Sequence, residues 1–289
     1  MTALFLIGGV DAGAYAQTWI GEPLDDYGRS RPIVVIGHRQ QDDDATESLV
    51  PRTATTGTRT EAPIVAIPQA LSVIPHRQLD EQAAKSVGDG LRYTPGVFAD
   101  SRIGGVLESV FLRGFGGFAA GATNSQLLDG LPLAKGGGWA AQVIDPYALD
   151  RVEVLRGPAS VLYGQASPGG VVNMAGKRPT EQPYYEILFT TGNRNRAEAA
   201  ADLGGPLGAG WGYRLTALGR RVDEQADHSK QQRLLLAPTL VWTPGTATRL
   251  TLTGFYQNDP HNNFAGWLPC GGDVAPERSG RDPPHLLSR

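Results

Sequence analysis

A single cysteine, Cys270, stands in a chain of 289 residues, so an internal disulfide and a multi-cysteine metal site are both excluded. The five histidines (His38, His76, His228, His261 and His285) fall at no metal-ligand spacing. No apolar run approaches the ~20 residues of a membrane helix, which excludes helical spans. It does not exclude a barrel, whose strands need only ~9–11 alternating residues. Charge is sparse, at 19% of residues, and 26 Lys+Arg against 29 Asp+Glu leave a net charge of −3. No nucleic acid or other polyelectrolyte partner is implied by that balance. Catalytic signatures are missing too. Gly164 and Gly169 frame a loop without the Lys-Ser/Thr of a phosphate loop, and Gly114-Phe115-Gly116 lacks a third glycine at dinucleotide spacing. Ser160 and Ser167 have no histidine beside them to activate them. No catalytic residue, resident cofactor or metal is expected, and the chain does not read as an enzyme.

What the chain has in quantity is glycine (38) and proline (21), a composition of turns and strands rather than long helices. Ala3-Leu4-Phe5-Leu6-Ile7 and the small-x-small Ala14-Tyr15-Ala16 read as an export signal over residues 1–16, although a basic start is missing and Asp11 interrupts the core. Residues 17–62 read as a polar linker holding one apolar island, Ile33-Val34-Val35-Ile36-Gly37. Such a β-branched segment can add to the exposed sheet edge of a partner, or form a strand on the chain's own folded domain.

Residues 63–179 read as one α+β domain. Pro63 to Pro68 and Ser72 to Ile74 suggest two short strands. Asp80 then caps a helix carrying Ala83, Ala84, Val87 and Leu91, which Thr94-Pro95-Gly96 ends. Between Asp150 and Pro179, three glycine turns (Arg156-Gly157-Pro158, Gly164 and Pro168-Gly169-Gly170) separate short apolar strands, the mark of a dense, rigid unit. From Tyr184 strict alternation takes over. Ala197, Ala199, Ala201 and Leu203 oppose Glu198 and Asp202; Trp211, Tyr213 and Leu215 oppose Arg214 and Thr216; Leu234, Leu236 and Leu240 oppose Arg233 and Thr239. Turns are expected at Gly204–Gly210 and Thr243–Ala247, with a longer loop at Asp223–Lys230. The same alternation suits either a membrane barrel with a wet interior or a soluble sandwich.

Five ordered motifs carry a resemblance. They are Leu79 to Val97 with its closing Thr-Pro-Gly-Val, Val110-Phe111-Leu112-Arg113-Gly114-Phe115, Leu127-Leu128-Asp129-Gly130-Leu131-Pro132, Asp145-Pro146, and the block Asp150 to Pro179. Together they resemble the plug domain of TonB-dependent outer-membrane receptors, in particular the ferric-siderophore class. The resemblance implies an α+β plug domain (mixed sheet, short helices) at 63–179, followed by an incomplete antiparallel transmembrane β-barrel at 184–289. About five strands fit, whereas barrels of this family have 22, so a truncated form is expected. Ile33, Val34, Val35, Ile36 and Gly37 would be the TonB box, captured by a TonB-type energy-coupling protein. Arg113 and Arg156 would pair with barrel glutamates and lock plug to wall; as simple surface arginines in turns they would carry no such role. Arg102, Phe118 and Trp139 are candidates for contact with the ligand at the plug's outer apices; packing against the wall is the alternative for Phe118 and Trp139. The implied setting is the cell outer membrane and its lipid, and the implied cargo is a ferric siderophore. Cobalamin, haem or a glycan are the alternative cargoes, and a non-transporting remnant or soluble binding module is the rival of another class.

Overall fold

The computed structural model describes residues 33–38, 49–102, 107–116, 126–133, 135–136, 140–164, 166–223, 230–245 and 248–261. The tail strand β1 (Ile33–His38) comes first, then a small hairpin of β2 (Thr53–Ala54) and β3 (Ala62–Pro63). The linker expected as far as residue 62 is therefore shorter, because residues 53–62 are folded onto the domain. Ile64–Ala66 form a 3-10 turn where a strand was expected. Pro63 and Pro68 have no N–H to donate to a ladder, and of this run only Ile67 is buried while Val65 is exposed.

After β4 (Ala70–Pro75) come two short helices, α1 (His76–Glu81) and α2 (Val87–Leu91), instead of one helix capped by Asp80. Asp80 lies inside α1, and Ala83, at φ 49, turns the chain out of helical geometry. Ser86 restarts it with a reciprocal cap, accepting from Asp89 N while the Asp89 carboxylate accepts from Ser86 N. A β-carbon on Gly90 would collide with the Leu79 side chain, so the residue that weakens the helix also allows α2 to pack closely on α1.

The chain continues through β5 (Val97–Arg102), β6 (Leu107–Leu112), β7 (Phe115–Gly116), β8 (Gln126–Leu128), β9 (Leu131–Pro132), β10 (Lys135–Gly136) and β11 (Ala140–Gln142). β12 (Leu149–Arg156), α3 (Ser160–Tyr163) and β13 (Gly170–Gly176) complete the domain. One sheet runs β4-β12-β13-β8-β9, with β13 and β8 parallel and the remaining pairs antiparallel; the second runs β10-β11-β6-β5 with β7 on β6. Strands β12 and β13 are buried on both faces. Val152, Val154, Val172 and Met174 meet Ile74, Leu79, Leu91 and Leu112 in the core. Each such burial is worth roughly 1.5–3 kcal/mol, and these contacts hold the helices on the sheet.

The wall is a meander of β14 (Tyr184–Thr191), β15 (Ala197–Gly208), β16 (Trp211–Asp223), β17 (Lys230–Trp242), β18 (Leu250–Thr253) and β19 (Tyr256–His261). Both β18 and β19 pair with β17, so they are one strand interrupted at Gly254-Phe255, and among the described residues the meander has the five strands that the alternation suggests. The turn expected to begin at Gly204 comes later, because β15 runs to Gly208 and reverses at Ala209-Gly210, both with positive φ. The loop expected at Asp223–Lys230 lies, between its two ends, outside the described residues. The free edge of β14 is taken by β1, antiparallel, from Ile33↔Thr191 to His38↔Glu186. Across the wall the usual polarity is inverted. Tyr185, Ile187, Phe189, Leu234, Leu236 and Leu252 are exposed, whereas Asp202, Arg214, Thr216, Arg233 and Thr239 are buried against the domain.

Candidate functional site at the interface of plug and wall

Two ionic clusters join the domain to the wall. The first grows from the end of β13, where Lys177 Nζ donates to Asp202 Oδ2 at 2.7 Å. Asp202 sits on β15 with no exposed surface and also accepts from Arg214 of β16, Nε at 2.5 Å and Nη2 at 2.7 Å, and from Thr216 Oγ1 at 3.3 Å. Aromatic rings complete the cage. The Lys177 ammonium lies 4.4 Å above the Tyr147 ring and the Arg214 guanidinium 4.3 Å above that of Tyr184. Both phenols donate to Glu186 of β14, at 3.2 and 2.8 Å. A buried charge is tolerable only when paired and hydrogen-bonded, and Lys177, Asp202 and Arg214 each have both.

The second cluster is centred on Asp145, which caps the 3-10 turn Pro146–Ala148 by accepting from Tyr147 N. Its Oδ2 accepts from Arg220 Nη1 at 2.7 Å and from Arg233 Nη1 at 2.9 Å. Arg220 also grips Glu198 through two bonds, at 2.8 and 3.0 Å, and Arg233 grips Asp259 through two at 2.9 Å. Gln257 Nε2 donates to Val143 O at 2.7 Å on the same seam. Between the clusters, Tyr147 and Ala148 pack on Ala200, Leu218 and Leu235 of the wall. The docking is thus apolar at its centre and ionic at both ends.

Arg113 and Arg156 do come together, around Gly96 and Gly157. Among the described residues Arg156 donates to Pro95 O at 2.7 Å and Ser72 Oγ at 2.8 Å, and Arg113 is exposed in a turn at φ 50. Among the described residues plug and wall are joined by Lys177 and Asp145, to which sequence reasoning assigned no such role. A signal was present at one position, where Glu198 of β15 faces Arg220, which faces Arg233 on β17; Asp202 faces Thr216 and reaches Arg214 diagonally. Arg102 ends β5, opposite Leu107. Phe118 and Trp139 lie outside the described residues. Ile33 to Gly37 form the greater part of β1.

Within the plug, Glu108 is buried beneath α2, where its carboxylate accepts from Gly88 N and from Gln126 Nε2 at 3.2 Å. Burial pushes its pKa up to about 7, and these bonds only partly offset that rise. His76 is held well below the ordinary histidine range, first by burial and then by Lys177. A cavity of about 860 Å³ opens between plug and wall, lined in part by Arg59, Asp129, Arg151, Arg178 and Arg249.

Comparison with known proteins matches residues 63–171 to the TonB-dependent receptor plug domain. The ferrichrome outer membrane transporter/phage receptor of Escherichia coli K12 is 38% identical over 237 residues, 81% of this chain and 31% of that protein. The ferrioxamine receptor of Yersinia enterocolitica is 38% identical over 234 residues, 79% of this chain and 32% of that protein. Among solved structures, the pyoverdine outer membrane receptor FpvA of Pseudomonas aeruginosa PAO1 superposes with a TM-score of 0.65 at 25% identity, over 75% of this chain and 31% of that one. The chain spans about a third of the length of these relatives. The plug-domain match and these relatives agree with the fold described above, and the chain belongs to the TonB-dependent receptors.

Proposed function

We propose that this chain is part of an outer-membrane receptor for the TonB-dependent uptake of a ferric siderophore. The observation that carries the reading is the inverted wall: its apolar side chains face outward, as lipid requires, and its charged ones close on a plug. A soluble sandwich would bury the opposite face. The stacked pair Trp211 and Trp242, with ring centroids 5.4 Å apart at one end of the wall, suits an interfacial aromatic girdle. The relatives' names support iron chelates as cargo.

In this mechanism no covalent chemistry is required. A chelate binds at the outer face, residues 33–37 leave the edge of β14 and pair as a strand with the TonB-type energy-coupling protein, and tension on the tail rearranges the plug. The Lys177 and Asp145 clusters keep the plug seated while that happens. Uptake of radio-iron as ferrichrome and as ferrioxamine, in cells lacking or carrying the intact gene, tests the reading. Gene-dependent uptake of either supports it. Uptake of cobalamin or haem but of neither chelate would keep the receptor and replace the cargo.

A further inference from the structure

The root of the tail is fastened to the middle of the plug by one carboxylate. Glu153, on β12 between β4 and β13, has no exposed surface. Its Oε2 accepts from Thr56 N at 2.7 Å and Thr55 N at 2.9 Å, and its Oε1 from Arg151 Nε at 2.6 Å. Thr56, fully buried, is held again by Asn173, the cross-strand partner of Glu153, whose Nδ2 donates to Thr56 Oγ1 at 3.1 Å. The Tyr163 hydroxyl donates to Thr56 O at 2.9 Å. Contacts spanning about a hundred residues of sequence therefore converge on two threonines of a segment that sequence reasoning left in a linker.

Position and chemistry together give this clasp a role. Thr55 and Thr56 lie between the tail strand β1 and β4, so tension arriving from the tail meets them before any strand of the plug's two five-stranded sheets. Bonds to an ionised carboxylate are strong while dry and weaken once water competes. The cavity between plug and wall is lined by Thr55, Arg59, Arg151, Tyr163 and Asn173, so water can reach the carboxylate as the threonines leave. Arg151 stays with Glu153, and no orphaned charge results. Opening is therefore stepwise and reversible rather than a loss of the core. We propose that Glu153 is a positioning residue acting as a latch, which holds the root of the tail until tension pulls Thr55 and Thr56 from it.

The purpose of the latch rests on the receptor reading; its existence does not. The full chain in lipid nanodiscs is pulled from a handle on residue 49, past β1 and its pairing with β14, against an anchored wall, with no coupling protein present. The first rupture is expected at lower force in Glu153→Gln than in the native chain. Glu61→Gln, on the exposed side of the same hairpin, should match the native chain. Hydrogen exchange at the Thr55 and Thr56 amides should quicken roughly tenfold or more in Glu153→Gln, the loss of a charged hydrogen bond. If that variant fails to fold, Asn173→Ala should lower the same first event by a smaller amount. Unchanged first-rupture force with the two amides still protected would overturn the latch. Uptake that ignores deletion of residues 33–37 would instead sink the receptor reading and leave the latch standing.

Discussion

Lys177 of the plug and Asp202 of the wall meet at 2.7 Å, both buried, at the point where the chain leaves one domain for the other. Only six residues separate Lys177 from the first wall strand at Tyr184, so the covalent link and the ionic link lie side by side. That arrangement fixes how the plug enters the wall and makes Asp202 the group whose loss is felt most.

Asp202→Ala leaves two buried cations facing each other without their counter-ion. A cost of roughly 3–5 kcal/mol is expected, as for other broken buried pairs. Lys177→Met should cost less, because Arg214 keeps both of its bonds to Asp202. Denaturant unfolding followed by tryptophan fluorescence gives the order; equal costs would count against the cluster.

Asp145→Asn should loosen the plug without opening the wall. Arg220 and Arg233 retain Glu198 and Asp259, so the strands stay charge-paired while the bridge to the plug weakens. Amide exchange should rise over residues 143–149 and stay unchanged in β16 and β17.

Glu108 gives the plug a pH dependence opposite to that of most carboxylates. Its folded pKa, about 7, lies above the ordinary 4.5 of a free glutamate, so the folded state binds the proton more tightly. Between pH 4.5 and 7 the unfolded chain holds fewer protons than the folded one, and stability therefore falls as pH rises through that window. Above about 7 this contribution is gone. Glu108→Gln should flatten the slope, and plug melting measured from pH 4.5 to 8 reads the difference.

Gly169 and Gly170 leave no room for a side chain. A β-carbon would strike the Leu112 carbonyl at the first and the Leu155 carbonyl at the second, where φ is also +129. Backbone cannot step aside as a side chain can. Alanine at either position should prevent the plug from folding, seen as trypsin cleavage inside residues 63–171 at all temperatures tested.

Much of the architecture was legible because strands announce themselves with a period of two. The faces read for Ala199, Leu215 and Leu236 are those the wall presents outward, and the strand count followed from turn spacing. What sequence could not supply was long-range or steric. One helix became two because Ala83 adopts positive φ, which no local preference demands. The segment at Thr55 looked like linker because its partner, Glu153, is 98 residues away. The lock was sought at Arg113 and Arg156, inside recognised motifs. Lys177 and Asp145 stand in such motifs as well, but their partners are on the wall, and only register and docking reveal them.

Strand β17 offers the most direct measurement of the inverted wall. With Cys270 replaced by serine, single cysteines at Leu234, Leu235 and Leu236, labelled with a fluorophore in outer-membrane vesicles, report their surroundings through a quencher dissolved in the lipid. Quenching at 234 and 236 but not at 235 is the expected result, since the outer two are exposed and Leu235 is fully buried against the plug. Equal quenching at all three, or quenching at 235 alone, would contradict a wall that faces lipid on one side and a plug on the other.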